Sequence, residues 1–281
     1  MEKATKSLNI KGYLHVLDKP AVMGILNVTP DSFYGQSRKQ SDAEIHQRII
    51  EILDEGGTIV DVGGYSSRPD AADISEAEEM QRLMPALSCL KIHYPDTIVS
   101  VDTFRAGIAR WAVEEYGVAI INDISGGEID DRMFDVVAAL RVPYILMHMR
   151  GTPKTMQQQT GYADMMEEIT LYFAEKLRTL QLLGVSDVIL DPGFGFGKTL
   201  DQNYELMREL SGFAVFERPV LAGVSRKSMI YKLLNNTPDE CLNGTTALNT
   251  FALLNGADIL RVHDVKAAVE AVKIIDKLKN R

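Results

Sequence analysis

Short apolar runs, each stopping on a polar or ionisable residue, alternate along this chain with longer stretches whose apolar positions recur every three or four residues. The short runs predict strands at Ala21–Val28, Thr58–Gly63, Thr97–Asp102, Ala119–Asp123, Pro143–Met149, Val188–Asp191, Pro219–Val224 and Asp258–Val262. The longer stretches predict helices near Asp42–Glu55, Glu76–His93, Arg105–Glu115, Asp131–Ala139, Ala163–Leu183, Gln202–Glu209, Cys241–Asn255 and Val265–Lys279. Strands alternating with helices read as βα units around a parallel sheet. Eight such units in about 260 residues match a closed (β/α)8 barrel, expected as one domain over residues 1–281 with its core from about residue 20. An open doubly wound sheet is the alternative, but no GxGxxG follows the first strand. The segment Leu8–Leu17 alternates in places around Gly12, and is expected to form a small hairpin closing the barrel floor.

In such barrels the chemistry sits at the C-terminal ends of the strands. Those ends carry Asn27, Asp61, Asp102, Asn122, His148, Asp191, Ser225 with Lys227, and Arg261 with His263. A polar group at every strand end is hard to ascribe to chance. The run Val188-Ile189-Leu190-Asp191-Pro192-Gly193-Phe194-Gly195-Phe196-Gly197-Lys198 is the most informative. A buried strand presents Asp191 at the mouth, and the glycines let the backbone turn sharply. Phe194 and Phe196 are expected to lie against a flat ligand. The loops after the first, second and fourth strands (Asn27–Phe33, Gly63–Pro69, Ile124–Gly127) are rich in Gly, Ser and Thr.

Composition narrows the setting. The chain has 281 residues, 46% hydrophobic and 25% charged, as expected of a soluble globular protein. A net charge of −9 argues against nucleic acid or an anionic membrane as a general partner. Met1–Leu8 has no apolar signal core, and no apolar run is long enough to span a membrane. Cys89 and Cys241 lack CxxC spacing or nearby histidines, and are expected to be small buried thiols. A reducing cytoplasm is the expected location.

The loop strings carry a resemblance. Ile25-Leu26-Asn27-Val28-Thr29-Pro30-Asp31-Ser32-Phe33 and Asp61-Val62-Gly63-Gly64-Tyr65-Ser66-Ser67-Arg68-Pro69 resemble the first two signatures of the dihydropteroate synthase family. Ser100–Thr103, Ile121–Asp123, Leu146–Pro153, the Asp191 loop, Gly223–Ser228 and Arg261–Asp264 follow in the family's order. The resemblance runs from about Gly24 to the C-terminus. It implies a TIM barrel, usually a homodimer. The activity it implies joins 6-hydroxymethyl-7,8-dihydropterin pyrophosphate to 4-aminobenzoate, giving 7,8-dihydropteroate for folate synthesis and releasing pyrophosphate.

The resemblance assigns Asp102, Asn122, Asp191 and Lys227 to the pterin pocket, and these residue types suit it. A carboxylate such as Asp191 can accept both donors of the 2-amino-4-oxo edge, and Lys227 can donate to the O4/N5 side. Taken alone, Asn122 also fits a turn cap, Asp102 a helix N-cap and Lys227 a solvated helix start. Arg261 and His263 lie two apart on a strand and point the same way. With Ser67 and Arg68 they form a candidate anion cradle. Asn27 is implied as a ligand of Mg²⁺ beside the pyrophosphate, helped by Asp31, which also reads as a turn residue after Pro30. Arg261, His263, Lys227 and Asp102 are the candidate catalytic residues, on a dissociative, SN1-like path that needs no strong base. Phe33, Ser67 and Pro69 would close over the site. The Ser225 region and the helix start after it would receive the benzoate carboxylate, and Phe196 would pack on the aryl ring or serve as core. His148 reads as core or support behind the site. Met229, Ile230, Tyr231 and Leu233 fit core better than interface.

The chain departs from the family at Tyr65, Ser67 and Asp70, where Glu, Thr and Gly are usual. Ser67 keeps a hydroxyl; Tyr65 and Asp70 change loop packing, and an altered sulfonamide response is expected. Two other readings remain. A pterin-dependent methyltransferase would need no anion cradle, and a non-catalytic pterin-binding regulatory barrel would be expected to lack Asn27, Lys227 or Arg261.

Overall fold

The computed structural model describes residues 6–29, 38–67 and 73–279. An antiparallel hairpin, β1 (Ser7–Ile10) and β2 (Tyr13–Val16), precedes eight parallel strands. These are β3 (Ala21–Asn27), β4 (Ile59–Gly63), β5 (Ile98–Asp102), β6 (Ile120–Asp123), β7 (Tyr144–Met147), β8 (Val188–Asp191), β9 (Leu221–Ala222) and β10 (Ile259–Val262). Each neighbour in sequence is a neighbour in the sheet, and β10 pairs with β3. A parallel bridge between Leu190 and Val220, with Leu190 N–H donating to the Pro219 carbonyl at 2.8 Å, joins β8 to the start of β9. The barrel is therefore closed, but thinly at that seam.

Helices α1 (Arg38–Asp54), α2 (Glu76–His93), α3 (Ala106–Tyr116), α4 (Met133–Leu140), α5 (Met165–Leu182) and α6 (Leu200–Arg208) follow their strands, then α7 (Ser228–Leu234), α8 (Leu242–Leu254) and α9 (Val265–Lys279). Ser75, Asp164 and Thr199 cap α2, α5 and α6 by accepting from otherwise unpaired first-turn amides. The helix start expected after Ser225 opens the seven-residue α7, too short to show a period of its own. One expectation is corrected. The expected strand Pro219–Val224 shrinks to Leu221–Ala222, because Pro219 has no N–H to give the ladder.

The two faces of the strands bury different things. Outward residues such as Val60, Val62, Val101, Leu190 and Val262 pack with Leu83, Leu87, Ile108 and Phe173 of the helices. Inward residues Met23, Ile59, Ile120, Ile145, Ile189, Leu221 and Ile259 fill the floor. Leu8 and Ile10 of the hairpin seal that layer from below, as the sequence pattern predicts. Cys241 is buried and Cys89 half-buried, both as free thiols. No helix among the described residues is long and apolar enough to cross a membrane.

Candidate active site

Above the isoleucine floor, the same inward positions turn polar. Asp61 is level with Ser100, Gly63 with Asp102, and Asp102 with Asn122. The stagger of the barrel brings Arg261 from β10 across to them. Arg261 Nε donates to Asp61 Oδ2 at 2.7 Å, and its Nη2 donates to Asp102 Oδ2 at 2.7 Å. Asn122 Nδ2 donates to the same Asp61 oxygen at 3.1 Å. Burial pushes the Asp102 carboxyl up to about 7, with Arg261 pulling down and Asp61 pushing further up. Burial alone would lower the Arg261 guanidinium, but its two carboxylate partners hold it above the ordinary range. The caps that Asn122 and Asp102 could have supplied come from elsewhere. Asp123 accepts from the Ser125 and Gly127 amides, and Asp130 from the Ala106 amide.

The Asp191 loop is built around a buried lysine. Asp191 Oδ1 accepts the Gly193 amide at 2.8 Å. Gly193 has φ +73°, and a Cβ there would collide with the His148 carbonyl oxygen, so only glycine fits. Lys198, 3% exposed, donates to the Gly193 and Phe196 carbonyls at 3.0 Å each and reaches His148 Nδ1 at 3.1 Å. Burial lowers Lys198 to about 7 against the pull of Asp191. Burial, then the charges of Lys198 and Arg150, lower His148 to about 2, so the ring stays neutral and accepts. Burial raises Asp191 above the ordinary range, while Lys227 and the Gly193 amide act against it.

The two phenylalanines of this loop part company. Phe194 is fully buried in the outer core, a correction to the expectation that it faces the ligand. Phe196 packs half-buried beside Tyr65 against Phe104, Met147, Met149 and Met156. Lys227 lies over the Phe196 ring at 4.6 Å and donates to the Phe194 carbonyl. It is half-buried rather than solvated, and burial lowers it to about 8 against the pull of Asp191.

His263 follows β10, and its Nδ1 meets Ser225 Oγ at 3.1 Å, while its backbone N–H donates to the same hydroxyl at 3.1 Å. Burial, then Arg261, lower His263 to about 4, so the ring is neutral near pH 7. Ser225 Oγ is thus tied to His263 by both contacts. Asn27 Oδ1 and Asp102 Oδ2 would stand 3.3 and 3.8 Å from a Cβ built on Gly63, so glycine leaves them a common cradle. Tyr65 meets Phe104 edge-on at 4.9 Å, with the Arg105 guanidinium over both rings. Ser67 is half-buried at the end of the described stretch. Asp31, Phe33, Arg68, Pro69 and Asp70 lie outside the described residues. Among the described residues no three His, Cys, Asp or Glu side chains form a metal cluster. A cavity of about 200 Å³ lined by Lys11, Leu87, Lys91, Tyr94 and Tyr116 lies at the floor end, remote from all of this.

A model of the pterin-binding enzymes matches residues 23–263. The dihydropteroate synthase of Escherichia coli is 42% identical over 264 residues, covering 92% of each chain. The chain belongs to the dihydropteroate synthase family. Its fold superposes on the Yersinia pestis enzyme in a sulfonamide complex, with TM-score 0.90 and 39% identity over 98% of this chain and 100% of that one. It also superposes on the Xanthomonas albilineans enzyme with 4-aminobenzoic acid, with TM-score 0.91 and 34% identity over 99% and 100%.

Asp61 and Lys198 are the two residues given no role from sequence that prove central to the geometry. Asp61 carried a signal, since a buried acid sits between Val60 and Val62 on an inward position. Lys198 carried only its place at the end of a glycine-rich loop.

Proposed function

We propose that this chain, as a dihydropteroate synthase, condenses 6-hydroxymethyl-7,8-dihydropterin pyrophosphate with 4-aminobenzoate. The observation that carries the reading is one mouth that gathers Asp102, Asn122, Asp191 and Lys227 beside the Arg261 guanidinium. The pterin's 2-amino and N3 donors would meet Asp191, and O4/N5 would meet Lys227. Asn122 and Asp102 would serve the remaining ring nitrogens. Arg261 and neutral His263 would hold the departing pyrophosphate, joined by Ser67 and Arg68.

The methylene carbon–oxygen bond breaks first, leaving pyrophosphate with the electron pair and the positive charge on the electron-rich ring. The neutral arylamine then attacks and loses a proton to solvent, so its position matters more than a base. Phe196 and the Ser225–Ser228 turn would seat the benzoate, with Phe33 and Pro69 closing beside it.

Mg²⁺ would suit Asn27 Oδ1, which lies over Gly63, because it takes few protein oxygens and completes its shell with water and phosphate. Bound there, with Asp31, it would neutralise charge on the leaving pyrophosphate. We further propose a cytoplasmic homodimer. Its face would be α7–α9, where Leu233, Leu242, Phe251, Leu254, Ile274 and Leu278 are 41–69% exposed. Met229 and Ile230 are in the core and Tyr231 packs on it as expected, but the exposure of Leu233 corrects its expected core place.

The test is dihydropteroate formation by the purified chain with and without Mg²⁺, beside Asp191→Ala. Mg²⁺-dependent product that the variant fails to make supports the reading. Pterin binding without product returns the non-catalytic barrel.

A further inference from the structure

Strands β4, β6 and β10 meet at a single oxygen. Asp61 on β4 is fully buried. Its Oδ2 takes Arg261 Nε from β10, two strands away on one side, and Asn122 Nδ2 from β6, two strands away on the other. Asp61 Oδ1 is buried with no hydrogen-bond partner among the described residues, so the side chain is not there to satisfy itself.

Both partners are constrained by what they give to Asp61. A guanidinium is rigid and planar, so fixing two donors on one edge fixes the direction of the others. Asp61 takes Nε and Asp102 takes Nη2. Nη1 has no hydrogen bond among the described residues and is left for an anion. The Asn122 amide is equally committed. Turning it over would set its carbonyl oxygen against a carboxylate, so Nδ2 stays on Asp61 and Oδ1 keeps its direction.

We propose that Asp61 is a positioning residue that fixes two recognition groups at once: the Asn122 amide for the pterin edge, and Arg261 Nη1 for the pyrophosphate. The proposal rests on the substrate reading above. Asp61 touches neither substrate in it, and acts through its two partners.

The experiment compares wild type, Asp61→Leu and Asp61→Asn in steady-state kinetics and in calorimetric binding of free 6-hydroxymethylpterin and of pyrophosphate. Asp61→Leu should raise KM for the pterin pyrophosphate about tenfold or more and weaken both free ligands, while KM for 4-aminobenzoate stays within about twofold. Asp61→Asn, which keeps one acceptor, should recover part of the loss. In an Asn122→Ala background the Leu substitution should no longer weaken the free pterin, yet should still weaken pyrophosphate. Equal KM changes for both substrates, or full additivity with Asn122→Ala, would overturn the proposal. If Asp61→Leu does not fold, Asp61→Asn alone carries the same comparisons, since it preserves volume. A wild-type chain that makes no dihydropteroate refutes the substrate reading, while the two binding measurements still decide the role of Asp61.

Discussion

The floor and the mouth of the barrel are built from the same strands, one or two alternations apart, yet they are held by opposite means. At the floor, Ile59, Ile120, Ile145, Ile189 and Ile259 fill space above Leu8 and Ile10, and shape alone specifies them. At the mouth, Asp61, Asp102, Asn122 and Arg261 are specified by charge balance and hydrogen-bond polarity. The floor should tolerate any change that keeps volume and resist any that removes it. The mouth should behave the other way round.

The sharpest break in that comparison is Asp191→Ala. We expect a loss of about 10³-fold or more in kcat/KM for the pterin pyrophosphate, with little change in melting temperature, because donors of the ring are left unpaired. Steady-state kinetics beside a thermal melt checks both halves. Ile189→Ala, two residues earlier on the same strand, should instead cost about 2–5 kcal/mol of stability and leave kcat/KM nearly unchanged in the folded fraction. A denaturant titration reads it.

Lys198 lies between these extremes. Lys198→Met should cost about 1–3 kcal/mol by orphaning two loop carbonyls. Its folded value near 7 lies below its unfolded one near 10.5, so the unfolded state binds more protons between them. Stability from this group therefore rises with pH from about 7 to about 10.5, and in the variant that rise should flatten. Smaller still, affinity for the free pterin should fall as pH rises through about 8, where Lys227 loses its proton, and Lys227→Met should remove that limb. The smallest expected effect is a changed sulfonamide inhibition curve in the Ser67→Thr, Asp70→Gly variant. Superimposable curves would show that these loop departures do not matter to the drug.

Much of this was legible in the sequence because strand alternation and strand-end polarity are local. They locate the eight strands, the hairpin and Asp102, Asn122, Asp191, Lys227 and Arg261 without knowledge of packing. Asp61 escaped a role because barrel strands end at different heights. It is level with Ser100, one layer below Asp102, and only the register reveals that depth. Phe194 misled because Gly193, Gly195 and Gly197 all have positive φ, so the loop departs from simple alternation and sends one ring inward. The α7 turn had too few residues to display a period.

The join between β8 and β9 lies between two of the groups proposed to hold the pterin. On one side of it stands Asp191; on the other, past Gly223, stand Ser225 and Lys227. Among the described residues the backbone bridge at Leu190–Val220 is the ladder that links them. A pterin gripped by Asp191 and Lys227 would span that join like a buckle across an open collar. The substrate would then act as a missing rung, and filling the site would quieten exchange at the Leu190 amide as well as starting the chemistry.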